Sequence, residues 1–128
     1  IVPANTIFDL VLRRSDLGDP LINDHHAVAL GIMSYEELAQ MYEMSAAINK
    51  CLVELYAKAG ITVVDFKIEF GRDANGVLVL ADELSPDTCR LWDKETGERM
   101  DKDRFRRDLG RVRETYEEVA QRLHNILK

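Results

Sequence analysis

Residues 61–82 read ITVVDFKIEFGRDANGVLVLAD, and the pattern of these residues is the most informative about the fold. Through residue 70, apolar and polar side chains alternate with a period of two, which is typical of a β-strand. The apolar side chains are expected on one face and the charged ones on the other, with Val64, Phe66, Ile68 and Phe70 opposed to Asp65, Lys67 and Glu69. A second apolar run follows Asn75-Gly76, and an Asn-Gly pair between two such runs predicts a β-hairpin.

The predicted hairpin places two carboxylates opposite each other. With a two-residue Asn-Gly turn, counting outward along the strands brings Glu69 opposite Asp82. Directly opposed like charges destabilise a strand pair, so a proton, the neighbouring Lys67 or a divalent cation must offset them. Mg²⁺ commonly binds one or two carboxylates together with phosphate oxygens and water. The alternative interpretation is a solvated charged face with a slightly different register.

A long helix is predicted before the hairpin. Ser34 and Glu37 have the spacing of a capping box, in which each side chain accepts a backbone N–H of the other residue. Apolar residues then recur at helical spacing as far as Gly60, a residue typical of a helix C-terminus. Upstream, residues 7–12 predict a strand, and residues 21–30 are expected to form a loop that leads into a short helix.

A second long helix is predicted after the hairpin. Asp101 is placed to cap a helix that begins at Lys102 and that Gly110 interrupts or bends. The last helical stripe consists of Val112, Tyr116, Val119, Ala120, Leu123 and Leu127. The predicted fold class is therefore α+β, a twisted antiparallel sheet with a β-hairpin, packed by two long helices.

The segment from Arg90 to Arg113 is basic within an acidic chain. It holds seven Arg and two Lys against six acidic residues. Such a segment is typical of a helix surface with ion pairs four residues apart, for example Asp103 with Arg107. The alternative is that Arg90, Lys102 and Arg106 converge on a phosphate, because Lys102 would lie in the first turn of a helix.

Composition excludes several classes of protein. The chain has 128 residues and a net charge of −6, which argues against a general nucleic-acid binder because phosphate would be repelled. No apolar run approaches the roughly 20 residues that a membrane helix needs. Cys51 and Cys89 are too few for a disulfide framework and predict free thiols in a reducing cytoplasm. We expect a single domain over residues 1–128, and the absence of an initial Met predicts a processed or cut fragment.

Other catalytic motifs are weak or absent. Asp24-His25-His26 resembles a metal motif, but adjacent side chains in an extended segment point to opposite faces, which favours a surface or hydrogen-bonding role. The sequence contains no G-x-S-x-G, P-loop or G-x-G-x-x-G pattern. Nucleophilic catalysis by Ser or Cys therefore has no support.

Several segments, in order, resemble one enzyme family. VVDFKIEFG at 63–71, ADELSPD at 81–87, RLWD at 90–93 and DKDRFR at 101–106 resemble the signatures of SAICAR synthetase, the phosphoribosylaminoimidazole-succinocarboxamide synthase of purine biosynthesis. DPLIN at 19–23 is also similar to the family. Linked motifs over essentially the whole chain are more specific than any one of them.

The resemblance implies a cytoplasmic carbon-nitrogen ligase that uses ATP and Mg²⁺. Its substrates would be carboxyaminoimidazole ribonucleotide (CAIR), L-aspartate and ATP. ATP would phosphorylate the CAIR carboxylate, and the aspartate amine would displace phosphate from the acyl phosphate. The resemblance further implies Glu69 and Asp82 as magnesium ligands, with Lys67 and Glu69 toward the nucleotide.

The resemblance also implies the substrate residues. Arg90 and Lys102 would hold the CAIR phosphate, and Arg106 would bind a carboxylate. Asp65 and Asp87 would act as catalytic acidic groups that handle polar groups of the substrate or the amine proton. Nucleic acid and membrane partners are not expected, and a homo-oligomer is left open.

One departure from the family pattern concerns the other half of the enzyme. Family members carry a further N-terminal half, with a β-rich lobe over ATP and a P-x-E-x-x-x-R…G-S segment that helps hold CAIR. Neither is present here, so the chain is expected to correspond to the C-terminal portion and to be nearly inactive by itself. The alternative hypothesis is a non-catalytic module that binds a nucleotide or a partner protein.

Overall fold

A computed structural model describes residues 2–128. It contains six short strands, four α-helices and one turn of 3₁₀ helix at Ser15–Leu17. In chain order, the strands and helices are β1 (Leu10–Val11), β2 (Leu21–Ile22), α1 (Asp24–Ala29), α2 (Tyr35–Lys58), β3 (Ile61–Phe66), β4 (Glu69–Arg72), β5 (Leu78–Ala81), β6 (Cys89–Asp93), α3 (Asp103–Arg106) and α4 (Val112–Leu127). The strands form three antiparallel pairs, β1–β2, β3–β6 and β4–β5. The predicted α+β class with antiparallel strands and two long helices is confirmed.

The chain divides into two compact units, residues 1–46 and 47–128. In the first unit Ala27 and Leu38 are buried. Tyr42 donates a hydrogen bond to Asp24 and packs edge-to-face against Phe8, with ring centroids 5.6 Å apart. The expectation of one domain over the whole length stays a prediction.

The second unit has its own apolar core between α2, β3, β6 and α4. The buried members are Tyr56, Ile61, Cys89, Leu91, Met100 and Val119. Cys51 and Cys89 are free thiols, as predicted, and burial raises the pKa of the Cys89 thiol. Among residues 2–128, none of the helices has the length and apolarity required to cross a membrane.

The helix α2 begins and ends as its sequence predicts. The Glu37 N–H donates to Ser34 Oγ at 3.1 Å and the Ser34 N–H donates to Glu37 Oε1 at 3.2 Å, so the capping box is confirmed. Gly60 follows the helix with φ +70°, a conformation that glycine adopts without steric cost. The upstream strand is shorter than expected, because only Leu10–Val11 of residues 7–12 pairs with a partner strand.

The predicted strand over residues 61–70 is two strands with a break at Lys67-Ile68. An irregularity between Val63 and Asp65 shifts the register of β3 against β6. As a result Val63 and Phe66 pack against the core, whereas Val64 is 42% exposed. The prediction that Val64 and Phe66 share a face was wrong, because a bulge breaks the alternation of period two.

The hairpin β4–β5 is confirmed, but its predicted register was wrong by one residue. Glu69 pairs with Ala81, not with Asp82. The turn is longer than two residues because the Asp73 carboxylate accepts the N–H groups of Asn75 and Val77, at 2.8 and 2.9 Å. The loop therefore has three residues, 74–76, with Gly76 in the left-handed region at φ +77°.

The helix predicted from Lys102 is instead a single turn, α3, separated from α4. Asp101 does act at its start, since its Oδ1 accepts the Asp103 N–H at 2.8 Å. Three residues between α3 and α4, Asp108, Gly110 and Arg111, have positive φ, which ends one helix and reorients the chain before the next. A helix of one turn has a small dipole, so the predicted helix-terminus contribution to anion binding at Lys102 loses its basis.

Candidate functional site

The strand pair β3–β6 brings Asp65 and Arg90 together, as they are cross-strand partners. Arg90 NH1 donates to Asp65 Oδ2 at 2.8 Å. Both side chains are about half exposed, at 49% for Arg90 and 55% for Asp65, so water screens the pair and its net stabilisation is small. The main consequence of this contact is to orient the Arg90 guanidinium.

A second carboxylate, Asp103, holds Arg90 from the other side. Arg90 Nε lies 3.4 Å from Asp103 Oδ2, and Arg106 NH1 lies 3.4 Å from Asp103 Oδ1. Arg99 Nε lies 4.0 Å from Asp103 Oδ2, and its guanidinium stacks 5.3 Å above the Trp92 ring. We call Arg90, Arg99 and Arg106 the arginine cluster.

The arginine cluster is a positive site in a negatively charged protein. All three guanidinium groups face Asp103, and Arg90 also pairs with Asp65, so at these contacts the cations outnumber the carboxylates by one. Lys102, next to Asp103, is exposed and adds another. Guanidinium groups bind phosphate and carboxylate oxygens through paired N–H donors, so this cluster is suited to a small anion.

A buried aspartate fixes the backbone of the arginine cluster. Asp101 is 1% exposed, and its Oδ2 accepts the N–H of Leu91, the residue after Arg90, at 2.6 Å. Its Oδ1 accepts the N–H of Asp103. One carboxylate therefore ties the strand that carries Arg90 to the helix that carries Asp103.

The loop 84–88 lies against α3 and α4. The Lys102 N–H donates to the Pro86 carbonyl at 3.1 Å, and Tyr116 Oη donates to Asp87 Oδ1 at 2.7 Å. Burial, together with the hydrogen bond to Asp87, raises the pKa of the Tyr116 hydroxyl above its ordinary value. Asp87 is thus placed by Tyr116, beside the backbone of Lys102.

The third group of predicted residues lies at the open end of the hairpin. Lys67 Nζ lies 3.4 Å from Glu69 Oε1, and the Glu69 side chain is 22% exposed. Asp82 follows the strand partner of Glu69 directly and has φ +73°, so its side chain no longer obeys the strand alternation. Two carboxylates and one ammonium group are therefore near one end of β4–β5.

Asp24-His25-His26 has a hydrogen-bonding role. His26 Nδ1 accepts the Asn23 N–H at 3.1 Å, and the Asn23 side chain accepts the His26 N–H, so both residues cap α1. His25 Nδ1 lies 2.9 Å from Tyr35 Oη. No group of three or more His, Cys, Asp or Glu suited to a metal occurs in the described part of the chain.

Sequence reasoning missed Asp103, Arg99 and Tyr116 as parts of the site. Asp103 was expected to pair with Arg107 along one helix, and it instead contacts arginines from β6, from the segment after β6 and from α3. The signal available in the sequence was the Asp-x-Asp spacing of Asp101 and Asp103 beside a basic run. It does not identify partners that are distant in the chain.

Comparison with known proteins decides the family. A family model described as SAICAR synthetase matches residues 3–123. The chain belongs to the SAICAR synthetase family. A phosphoribosylaminoimidazole-succinocarboxamide synthase from Fusobacterium nucleatum is 58% identical over 120 residues, which cover 94% of this chain and 51% of the relative. The corresponding synthase of Clostridium botulinum is 56% identical over 119 residues.

Solved structures agree with this assignment. A structure described as SAICAR synthetase in complex with ADP superposes with a TM-score of 0.90 at 46% identity, covering 94% of this chain and 52% of that one. The synthase from Ehrlichia chaffeensis gives a TM-score of 0.91 at 43% identity, with the same coverage of both chains. The chain spans about half the length of the curated relatives that it matches.

Proposed function

We propose that this chain contributes the substrate-anion and magnesium sites of an ATP-dependent ligase that joins CAIR to L-aspartate. The observation that carries the proposal is the convergence of Arg90 and Arg106 on Asp103, with Lys102 adjacent, inside a member of the SAICAR synthetase family. The ADP bound by a related synthetase supports nucleotide binding as part of the same activity. We propose the cytoplasm as its location.

In the proposed reaction, an oxygen of the CAIR carboxylate attacks the γ-phosphorus of ATP and releases ADP. The aspartate amine then attacks the carbonyl carbon of the acyl phosphate, inorganic phosphate leaves, and the amine loses a proton. We assign the CAIR phosphate to Arg90 and Lys102 and a carboxylate to Arg106, because their positive charges are exposed enough to meet a ligand.

The two acidic residues of the catalytic assignment differ in their surroundings. Asp65 is paired with Arg90, which keeps it next to the bound CAIR in this proposal. Asp87 accepts a hydrogen bond from Tyr116, which leaves its second oxygen to orient a polar group of the substrate or to accept the amine proton.

Glu69 and Asp82 are the proposed magnesium ligands, and the chemistry of the donors suits this ion. Carboxylate oxygens are hard ligands, and Mg²⁺ usually takes only one or two from protein, with phosphate and water completing its octahedron. The two carboxylates of Glu69 and Asp82, the first of them 3.4 Å from Lys67 Nζ, therefore suit this ion. When bound, Mg²⁺ would neutralise charge on the nucleotide phosphates, and Lys67 would bind one of their oxygens.

Calorimetry tests the proposal. Mg²⁺·ADP is titrated into the wild type and into the double variant Glu69→Gln/Asp82→Asn. We expect the variant to bind at least tenfold more weakly, because it retains the size of both side chains and loses their charge. The matched control Asp108→Asn/Glu117→Gln removes two exposed carboxylates from the same unit and should bind like the wild type.

Two results would contradict the proposal. Equal affinity in the wild type and the Glu69→Gln/Asp82→Asn variant would remove the magnesium assignment and favour a non-catalytic module that tolerates both changes. Absence of any Mg²⁺·ADP binding by the wild type would contradict the expectation that Glu69 and Asp82 hold the nucleotide through Mg²⁺ in this chain by itself.

A further inference from the structure

Asp103 contacts all three members of the arginine cluster. Its two oxygens contact Arg90, Arg99 and Arg106, and its side chain is only 9% exposed. We infer that Asp103 is a positioning residue, which holds the arginine cluster in place so that the Arg90 guanidinium is oriented to bind the phosphate of the substrate. This inference rests on the proposed function and deepens it.

The burial of Asp103 requires these partners. A charged carboxylate removed from water is costly to bury unless cations and hydrogen bonds compensate for the lost hydration. Arg90, Arg99 and Arg106 together supply that compensation from three different stretches of chain. The same contacts hold three like charges close to one another, which they would otherwise avoid.

Arg90 is held in one orientation by two carboxylates. Its Nε faces Asp103 and its NH1 donates to Asp65. A guanidinium is planar, so two contacts on adjacent nitrogens determine its plane, and the NH2 group offers two further donors. The Arg90 N–H donors are therefore already oriented before an anion binds, and the Arg90 side chain loses less rotamer freedom on binding.

The position of Asp103 is itself determined by buried backbone contacts. Asp101 accepts the N–H of Asp103 and the N–H of Leu91, beside Arg90. The separation of Asp103 from Arg90 is thus set by the backbone and by one buried side chain. A site built in this way preserves its geometry when the outer parts of the arginine side chains move.

Removing the Asp103 carboxylate has opposite expected effects, depending on whether it acts through its charge or by orienting the arginines. Asp103→Asn raises the net charge around the arginine cluster by one, so simple attraction predicts tighter binding of an anion. If Asp103 orients the arginines, the same change lets them separate and weakens binding. The sign of the effect distinguishes the two explanations.

The experiment measures the affinity of the wild type and of Asp103→Asn for CAIR by calorimetry, and for inorganic phosphate by ³¹P NMR. We expect Asp103→Asn to bind CAIR at least tenfold more weakly and phosphate more weakly as well, and Asp103→Glu, which keeps the carboxylate, to recover part of the loss. Asp108→Asn removes an exposed carboxylate from the same segment and should bind like the wild type. Circular dichroism establishes that each variant is folded.

A double-mutant cycle provides a readout that a merely structural role would not move. If Asp103 acts through Arg90, the double variant Asp103→Asn/Arg90→Ala raises the CAIR dissociation constant by less than the product of the two single fold-changes. A fold-change in the double variant equal to that product would overturn the inference. CAIR binding by Asp103→Asn at wild-type strength or tighter would overturn it as well. If Asp103→Asn does not fold, the same cycle with Asp103→Glu decides.

The two probes separate this inference from the proposed function. If the wild type binds phosphate and not CAIR, the proposed substrate is wrong, and the phosphate affinities of the Asp103 variants still decide the inference. If the wild type binds neither, both are overturned.

Discussion

At the scale of single residues, aspartates organise the turns of residues 47–128 by accepting backbone N–H groups. Asp73 shapes the hairpin turn, Asp93 the turn after β6, and Asp101 the approach to α3. A short carboxylate side chain reaches N–H groups two to four residues away, and this local bonding competes with regular secondary structure. These residues therefore determine where strands end and in which direction the chain continues.

Asp93 makes the stability of the protein depend on acid pH. The N–H of Thr96 is the largest cause, and together with Arg122 it lowers the pKa of Asp93 from 3.8 to about 2. Because the pKa is lowered on folding, the stabilisation is complete above about pH 4 and is lost as the pH falls through about 2.

We therefore expect Asp93→Asn to lower the free energy of unfolding by about 1 kcal/mol at pH 7. The difference from the wild type should shrink between pH 4 and pH 2, measured by urea denaturation at a series of pH values. Asp108→Asn serves as the control and should change little at any pH. A difference between Asp93→Asn and the wild type that stays constant over this range would show that the carboxylate does not act through its charge.

At the scale of secondary-structure elements, the hairpin turn requires glycine at one position. Gly76 has φ +77°, and a Cβ placed there meets no atom within 4 Å. Alanine at this position is therefore penalised by backbone conformation alone, and we expect Gly76→Ala to lower the free energy of unfolding by about 1 kcal/mol.

Gly71 in β4 is the matched control for Gly76. It lies outside the left-handed region, and a Cβ there also meets no atom within 4 Å. Gly71→Ala should be neutral or stabilising by about 0.5 kcal/mol, because alanine restricts the unfolded chain. Equal destabilisation by both substitutions in urea denaturation would contradict the left-handed conformation of Gly76 in the turn.

The elements that could be predicted from the sequence are those determined by local interactions. The Ser34–Glu37 capping box and Gly60 mark the ends of α2 correctly, since each depends on atoms a few residues away. The hairpin could be predicted for the same reason. Its register could not, because Asp73 selects a three-residue turn over the two-residue turn that Asn-Gly favours.

At the scale of the whole molecule, the site combines residues that no local pattern connects. Arg90 and Arg106 were identified as candidates from charge and from the family resemblance, and the structure brings both to Asp103. Asp103 itself could not be found, because its partners come from separate elements. The predicted register, which placed Glu69 directly opposite Asp82, was wrong. The magnesium assignment to these two residues therefore rests on the family resemblance and on the position of Asp82 next to Ala81, the strand partner of Glu69.

We expect a substrate anion to bind this chain at the arginine cluster, although the net charge of the protein is −6. The most direct test is ¹⁵N NMR of the 128-residue chain during titration with CAIR. The largest shift changes should occur at Arg90, Lys102 and Arg106, with unchanged signals around Cys51 on α2 as the internal reference. Shift changes that are absent, or that are centred away from these three residues, would show that the anion does not bind at the arginine cluster.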